Sequence, residues 1–426
     1  MKHTGKRRWL ALMLCACMLT GAAGCGDRVS SSEDLMEGIE AGTPVITKEP
    51  KPTKAPEEEI NRPVTDFGVS LLQDAIKNSG NGSNVLVSPL SVLMALSMTA
   101  NGAEGATKTQ MEAVLGENLK EYLRDYRQNL PRGEKYKLNL ANAIWFKDKE
   151  GLEVQEDFLQ TNADYYNASV YKAAFDDTTL KDINNWVEKN TDGMIENILD
   201  KIFQDAVLYL VNALSFDAEW QSVYRENQVR DGEFTKEDGT KQQVEMMYSK
   251  EYVYLEDEKA TGFIKYYADK KYAFAALLPK EGVSVADYVE SLTGEHLAEL
   301  LKNPSKETVY ARLPKFETEY SVTLNDILVQ MGMADAFDPV LADFSAMATV
   351  PEDRNIYISR VLHKTFISVD EKGTRAGAAT VVEMSDTAEM IEDPKQVYLD
   401  RPFIYLLIDC ENNEPFFMGT MMDMEK

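Results

Sequence analysis

Imidazole chemistry in this chain of 426 residues rests on three histidines, His3, His296 and His363. A hydrolase needs a hydroxyl or thiol nucleophile, a base to take its proton and a third group to orient the base. Ser88 and His363 could be cast in those roles. No G-x-S-x-G elbow frames the serine, however, and H-E-x-x-H, C-x-x-C and G-x-x-x-x-G-K-[ST] are all missing. Glu295-His296-Leu297 has no second ligand at helical spacing, so neither a metal nor another cofactor is expected. The most suggestive spacing lies instead in Glu371-Lys372-Gly373-Thr374-Arg375-Ala376-Gly377-Ala378-Ala379-Thr380-Val381-Val382-Glu383-Met384. Every second residue, Thr374, Ala376, Ala378, Thr380, Val382 and Met384, is small or apolar; Arg375 and Glu383 fall on the other face. Period-two alternation marks a half-buried strand. Side chains this small cannot anchor a core, but they suit a strand that slides between two neighbours after the rest has folded. A flexible small-residue connector is the competing reading.

Such a strand needs a sheet to receive it, and the chain predicts one. Thr65-Asp66 can cap a helix through Phe67, Leu71, Leu72 and Ile76, and Ser91 to Met98 is apolar enough for a buried helix. Tyr136 to Phe146 alternates as a strand. Leu180 to Leu199 reads as helix, and Val207 to Phe216 as a strand covered on both faces. Two strand patterns lie within Tyr252 to Pro279, a helix in Val285 to Lys302, and strands in Val309 to Thr318 and Ile356 to Val369. Phe403 to Asp409 and Pro415 to Met421 form a closing hairpin around Glu411-Asn412-Asn413. No internal repeat is present.

Glu-Lys-Gly-Thr-x-Ala-x-Ala-Ala-Thr at 371–380 resembles the hinge of the inhibitory serpins, and the resemblance runs from about residue 61 to 426. Its motifs stand in order: Asn84-Val85-Leu86-Val87-Ser88-Pro89-Leu90-Ser91, Ala100-Asn101-Gly102-Ala103, Leu140-Ala141-Asn142-Ala143-Ile144-Trp145, and Ile183-Asn184-Asn185-Trp186-Val187 through Ile195. Then come Leu210 to Phe216 with Trp220, Leu313-Pro314-Lys315-Phe316, His363-Lys364, and Arg401-Pro402-Phe403 to Phe417-Met418-Gly419. The resemblance implies one α+β unit, with a large mixed β-sheet, additional sheets, about nine helices and a mobile reactive loop.

It also implies roles. Ser88, Ser91, Asn212 and His363 match polar residues beneath the central strands, where a hydrogen-bonded cluster holds the sheet closed; a static buried network is the alternative. Lys315 and Glu371 match an ion pair at the top of the hinge near Trp220. Glu371, Gly373, Thr374, Ala376 and Ala378 match the hinge itself, with Arg375 standing where a Glu is usual. The scissile bond lies sixteen residues after the hinge glutamate in the family, which gives Thr387–Ala388; a return to Arg401 longer than expected by about four residues widens the range to 385–391. The implied function is suicide inhibition of a serine protease through a covalent acyl-enzyme complex. Thr387 and Ala388 suit an elastase-like pocket, and the absence of basic residues from Val381 to Asp393 argues against a trypsin-like target. Asp386, Glu383 and Glu389 would suit an acid-specific protease. A non-inhibitory serpin serving as a surface binding protein, a cross-class inhibitor of cysteine proteases, and a hydrolase built on Ser88 and His363 are the other readings.

The formal charge of −26 argues against nucleic-acid binding, and 44% hydrophobic residues suffice for a sizeable core. Lys2, Lys6, Arg7 and Arg8 precede an apolar Trp9–Thr20, too short to span a bilayer, and then Gly24-Cys25. This resembles a bacterial lipoprotein signal (1–24), with lipid on Cys25, although Ala22 stands where Leu is usual. Leu14-Cys15-Ala16-Cys17 offers a shorter match, and ordinary secretion is the alternative. Residues 25–60, rich in Glu, Ser, Thr, Lys and Pro, read as a disordered tether from that anchor to a domain at 61–426. The expectation is a monomer, lipid-anchored in the membrane and displayed on its extracytoplasmic side. Cys410, alone in the domain, reads as a small buried hydrophobe, so no disulfide framework exists.

Overall fold

The structure, a computed structural model, describes residues 31–42, 63–80, 82–203, 205–374 and 394–425. Its largest sheet has seven strands. From edge to edge they are β1 (Glu33–Asp34), β5 (Ser169–Ala173), β3 (Tyr136–Lys147), β6 (Leu208–Glu219), β16 (Gly373–Thr374), β15 (Arg360–Val369) and β13 (Phe316–Thr323). A six-stranded sheet runs β2 (Val85–Val87), β19 (Glu414–Met421), β18 (Phe403–Asp409), β11 (Tyr272–Pro279), β10 (Ala260–Tyr266) and β9 (Tyr254–Glu256). A third joins β17 (Lys395–Tyr398), β12 (Val309–Pro314), β8 (Lys241–Glu251) and β7 (Val229–Thr235), and β4 (Glu153–Val154) pairs with β14 (Ala348–Thr349). Nine α-helices lie among the described residues: α1 (Pro63–Ser79), α2 (Pro89–Ala100), α3 (Gly105–Leu115), α4 (Leu119–Asn129), α5 (Glu156–Thr161), α6 (Asp177–Asn190), α7 (Val285–Ser291), α8 (Gly294–Lys302) and α9 (Asn325–Met331).

Burial explains the apolar runs. Every residue of β11, β18 and β19 is buried, as is α2 from Pro89 to Thr99. These elements form the main core, on one side of the large sheet. A second apolar cluster lies under α6, where Ile183, Trp186 and Val187 meet Trp145, Tyr209, Val211 and Leu362. The lower half of β3 and β6 is therefore covered on both faces, which is why it lacks alternation. α6 starts at a capping box: Asp176 accepts from the backbone of Thr178 and Thr179, and Thr179 reaches back to Asp176.

Several boundaries differ from expectation. α1 begins at Pro63, so Thr65 and Asp66 sit in its first turn rather than at its cap. α6 stops at Asn190, because Asp192 and Gly193 both take positive φ, and the chain to Leu199 is not helical. The predicted helix 285–302 is two, broken at Leu292-Thr293. The predicted strand 309–318 is two strands on different sheets with its corner at Lys315. Between Tyr252 and Pro279 there are three strands, not two.

The largest correction concerns the stretch read as a tether. Residues 31–42 dock on the sheet edge, with Glu33 opposite Lys172 and Asp34 opposite Tyr171, and with Leu35, Met36 and Ile39 packed against the core. The sequence shows three apolar residues among charged ones, too few to reveal that a ready-made edge strand, β5, waits for them.

Candidate functional site

The centre of the large sheet has two different constructions. In its lower half β6 and β15 pair directly and in parallel, from Arg360 opposite Tyr209 to Lys364 opposite Ala213. At the upper end, where β6 terminates, β16 stands between them. Gly373 lies opposite Glu219 and Thr374 opposite Ala218 on β6, and Thr374 lies opposite Val369 on β15. β16 is antiparallel to both neighbours. Gly373 and Thr374, near the start of the small-sided segment, thus form a wedge in the sheet.

Each residue of the wedge has a reason to be there. A Cβ on Gly373 would come within 2.0 Å of the Ala218 carbonyl oxygen, so only glycine passes. Thr374 is 1% exposed, and its hydroxyl meets that of Tyr267. Tyr267 stacks on Trp220 with ring centres 4.3 Å apart. Trp220 holds the turn before the wedge from both its nitrogens: its backbone N–H donates to the Lys372 carbonyl at 2.8 Å, and its indole N–H to that of Asp370 at 2.8 Å. Tyr224 N–H donates to the Glu371 carbonyl at 2.9 Å. Lys315 Nζ lies 2.8 Å from a Glu371 carboxylate oxygen, and that hydrogen bond holds the Glu371 pKa below the usual range. Glu371 is about a third exposed, so the pair contributes only about 0–1 kcal/mol.

Below the wedge lies a buried polar network. Ser88 N–H donates to His363 Nε2 at 3.1 Å, so the ring hydrogen sits on Nδ1, which donates to Asn212 Oδ1 at 2.9 Å. Asn212 Nδ2 in turn donates to the Ser91 carbonyl and to Asn142 Oδ1 on β3. Ser88 Oγ donates to the Phe416 carbonyl at 2.9 Å. Burial pushes the His363 pKa down to about 3, so the ring is neutral at pH 7. Ser88, Asn212 and His363 are thus brought together. Ser91 enters through its carbonyl only; its hydroxyl is buried without a partner among the described residues. Ser88 and His363 meet through a backbone N–H rather than the serine hydroxyl, so they do not form a nucleophile–base pair. Asn142 was missed as a member of the network, although an amide on an otherwise apolar inner strand is a signal for a buried partner.

A second missed residue is Lys265 on β10, only 3% exposed. Its ammonium lies 3.0 Å from Glu251, donates to the Ser222 carbonyl at 3.3 Å, and sits over the rings of Tyr224 at 4.4 Å and Trp220 at 5.3 Å. Burial opposes its charge, but Glu251 and Tyr224 together outweigh it and keep the pKa above the usual lysine value. Lys265 therefore holds, from behind, the loop on which the wedge rests. Cys410 is half-buried; burial, with Asp409 beside it, pushes its thiol up to about 12 and leaves it unreactive. Ala376, Ala378, Thr387, Ala388 and Cys25 lie outside the described residues.

The family model for Serpin (serine protease inhibitor) matches residues 62–424. An uncharacterized serpin-like protein of Thermococcus kodakarensis is 33% identical over 375 residues, covering 85% of this chain and 86% of its own length. Mouse neuroserpin is 30% identical over 384 residues, covering 85% and 91%. The crystal structure of a thermophilic serpin, tengpin, in the native state superimposes with a TM-score of 0.84 at 44% identity, covering 92% of this chain and all of the other. Its latent state gives 0.75 at 43% identity, covering 87% and again all of the other chain.

Proposed function

The chain belongs to the serpin family, whose members are generally protease inhibitors rather than catalysts, and we propose that it traps an elastase-like serine protease by reactive-loop cleavage and strand insertion. The observation that carries this reading is the wedge: β16 seated antiparallel between β6 and β15, directly above their parallel pairing. A strand that continued from Thr374 would replace one parallel pairing by two antiparallel ones, which are slightly more stable per residue. Strand addition of this kind is a known way for a sheet to take up an extended segment.

The chemistry belongs to the protease. Its serine oxygen attacks the Thr387 carbonyl carbon, the Thr387–Ala388 bond breaks, and the Ala388 amine leaves with a proton. An ester to Thr387 remains. Gly373 to Thr387, inserted at about 3.3 Å per residue, spans roughly 45–50 Å. The ester and the protease attached to it are carried that far, and the distorted protease no longer hydrolyses the ester. The acid-free, small-sided Thr374 position, 1% exposed, fits insertion without burying a charge. We further propose that Cys25 carries lipid and holds the domain at the outer side of a membrane.

An SDS-stable adduct between the intact protein and an elastase-like protease tests the reading, with the cut within 385–391 located by mass spectrometry. Cleavage of the loop without adduct at any ratio would refute inhibition of that class and favour a binding role. Cys25→Ser is expected to remove the protein from membranes and leave adduct formation unchanged.

A further inference from the structure

The docked segment 31–42 determines where an anchored chain leaves the domain. It is held at both ends. Ser31 N–H and Ser32 Oγ donate to the Asp182 carboxylate of α6 at 3.2 and 2.9 Å, and Glu33 pairs with Lys172 at 2.7 Å. Leu35 N–H donates to the Val170 carbonyl at 2.9 Å. At the far end the Glu40 carbonyl accepts from Gln160 at 3.0 Å, and Gly42 N–H donates to Asp164 at 2.6 Å. β1 is antiparallel to β5, β5 is parallel to β3, and the end of β3 lies beside the start of β6, with Phe146 opposite Leu208. Ser31, at the start of the docked segment, therefore lies toward the lower pole, where β6 begins. The hinge is at the other pole, opposite Ala218 and Glu219.

The lengths decide the consequence. From Leu208 to Ala218 the strand covers ten steps, about 33 Å at about 3.3 Å each. Only six steps separate Cys25 from Ser31, at most about 22 Å of extended chain. The leash is shorter than the sheet. We infer that the anchored protein stands with its lower pole toward the lipid bilayer and presents its reactive loop outward, at the pole farthest from the membrane. This rests on the lipidated Cys25 proposed above. A long tether at 25–60 would have allowed any orientation; docking of 31–42 removes that freedom.

The test uses the full lipidated chain on phosphatidylcholine vesicles carrying an acceptor dye on the head groups. A donor dye is placed on a cysteine introduced at exposed Lys201, near the lower pole, or at exposed Glu134, beside the start of β3 at the hinge pole. Energy transfer from position 201 is expected to exceed that from 134 several-fold. The double variant Leu35→Asp, Ile39→Asp, which undocks the segment, is expected to equalise the two, with adduct formation monitoring that the domain remains folded. Equal transfer from both sites in vesicle-bound wild type, or an asymmetry that survives undocking, would overturn the orientation while leaving the anchor intact. Failure of the wild type to bind vesicles would overturn the anchor, and the orientation with it.

Discussion

His363 is the one titratable member of the network between β6 and β15, and its environment makes a pH prediction. Nε2 accepts from Ser88 N–H and Nδ1 donates to Asn212, so a second ring hydrogen would face an N–H donor instead of an acceptor. Burial holds the folded-state pKa at about 3, against 6.5 in the unfolded chain. Below pH 6.5 the unfolded chain binds the proton and the folded one does not. The stabilising contribution is therefore complete above pH 6.5 and is lost as pH falls from 6.5 toward 3. Each pH unit in that window removes about 1.4 kcal/mol, so the loss at pH 5 is about 2 kcal/mol. Urea unfolding of the intact protein and of His363→Gln, measured from pH 7.5 to 5, isolates the term, because carboxylate titrations common to both cancel in the difference. The advantage of wild type over the variant is expected to shrink by about 2 kcal/mol between pH 7 and 5. A difference that stays constant over that range would refute the assignment of a neutral, buried His363.

Gly373→Ala is expected to unseat the wedge, since its Cβ would meet backbone atoms of Ala218 and Glu219 at 2.0 to 3.0 Å. Hydrogen exchange at Trp220, whose N–H donates to the Lys372 carbonyl, should rise, and unchanged protection would show that β16 tolerates a side chain. Thr374→Arg puts a charge into a site 1% exposed, and the variant should be cleaved by the target protease without trapping it; an unchanged stoichiometry of inhibition would rule out burial of that face. Lys265→Met should destabilise the protein by about 3–5 kcal/mol by stranding Glu251, and adding Glu251→Gln should recover most of the loss. A single variant as stable as wild type in urea would remove Lys265 as a structural pin. Cleavage of the loop within 385–391 should raise the melting temperature, and an equal or lower value would rule out insertion.

What could be read in the sequence was what depends on local pattern. The apolar runs of β6, β11, β18 and β19 declare themselves because both faces are covered. The meeting of Lys315 and Glu371 was legible only through family resemblance; no spacing rule joins residues whose contact depends on a corner between two sheets at Lys315. Lys265 was illegible for a related reason. A lysine after Phe263-Ile264 reads as an outward position, and its burial depends on Glu251, Ser222, Tyr224 and Trp220, all distant along the chain. The break between α7 and α8 was hidden because apolar residues continue through Leu292, while Thr293 caps the second helix by accepting from His296 N–H. Segment 31–42 was hidden by its composition, since its main bonds are made by backbone and carboxylates to partners more than a hundred residues away.

The chain that returns from α6 toward β6 crosses the front of the parallel pairing. Lys364 of β15 donates to the Asn197 carbonyl at 2.7 Å, while Asn184 of α6 ties Ile198 and Leu199 at 2.8 to 3.1 Å. The apolar cluster beneath it takes Tyr209 and Val211 from β6 and Leu362 from β15, so it spans both sides of the gap that a new strand would need. Under the proposed mechanism this crossing would act as a clock. Once the acyl ester formed, hydrolysis and sheet widening would race, and the time needed to lift the crossing would decide which finishes first. A tighter crossing would yield an inhibitor consumed mostly as substrate, and a looser one a faster trap with a shorter-lived resting form.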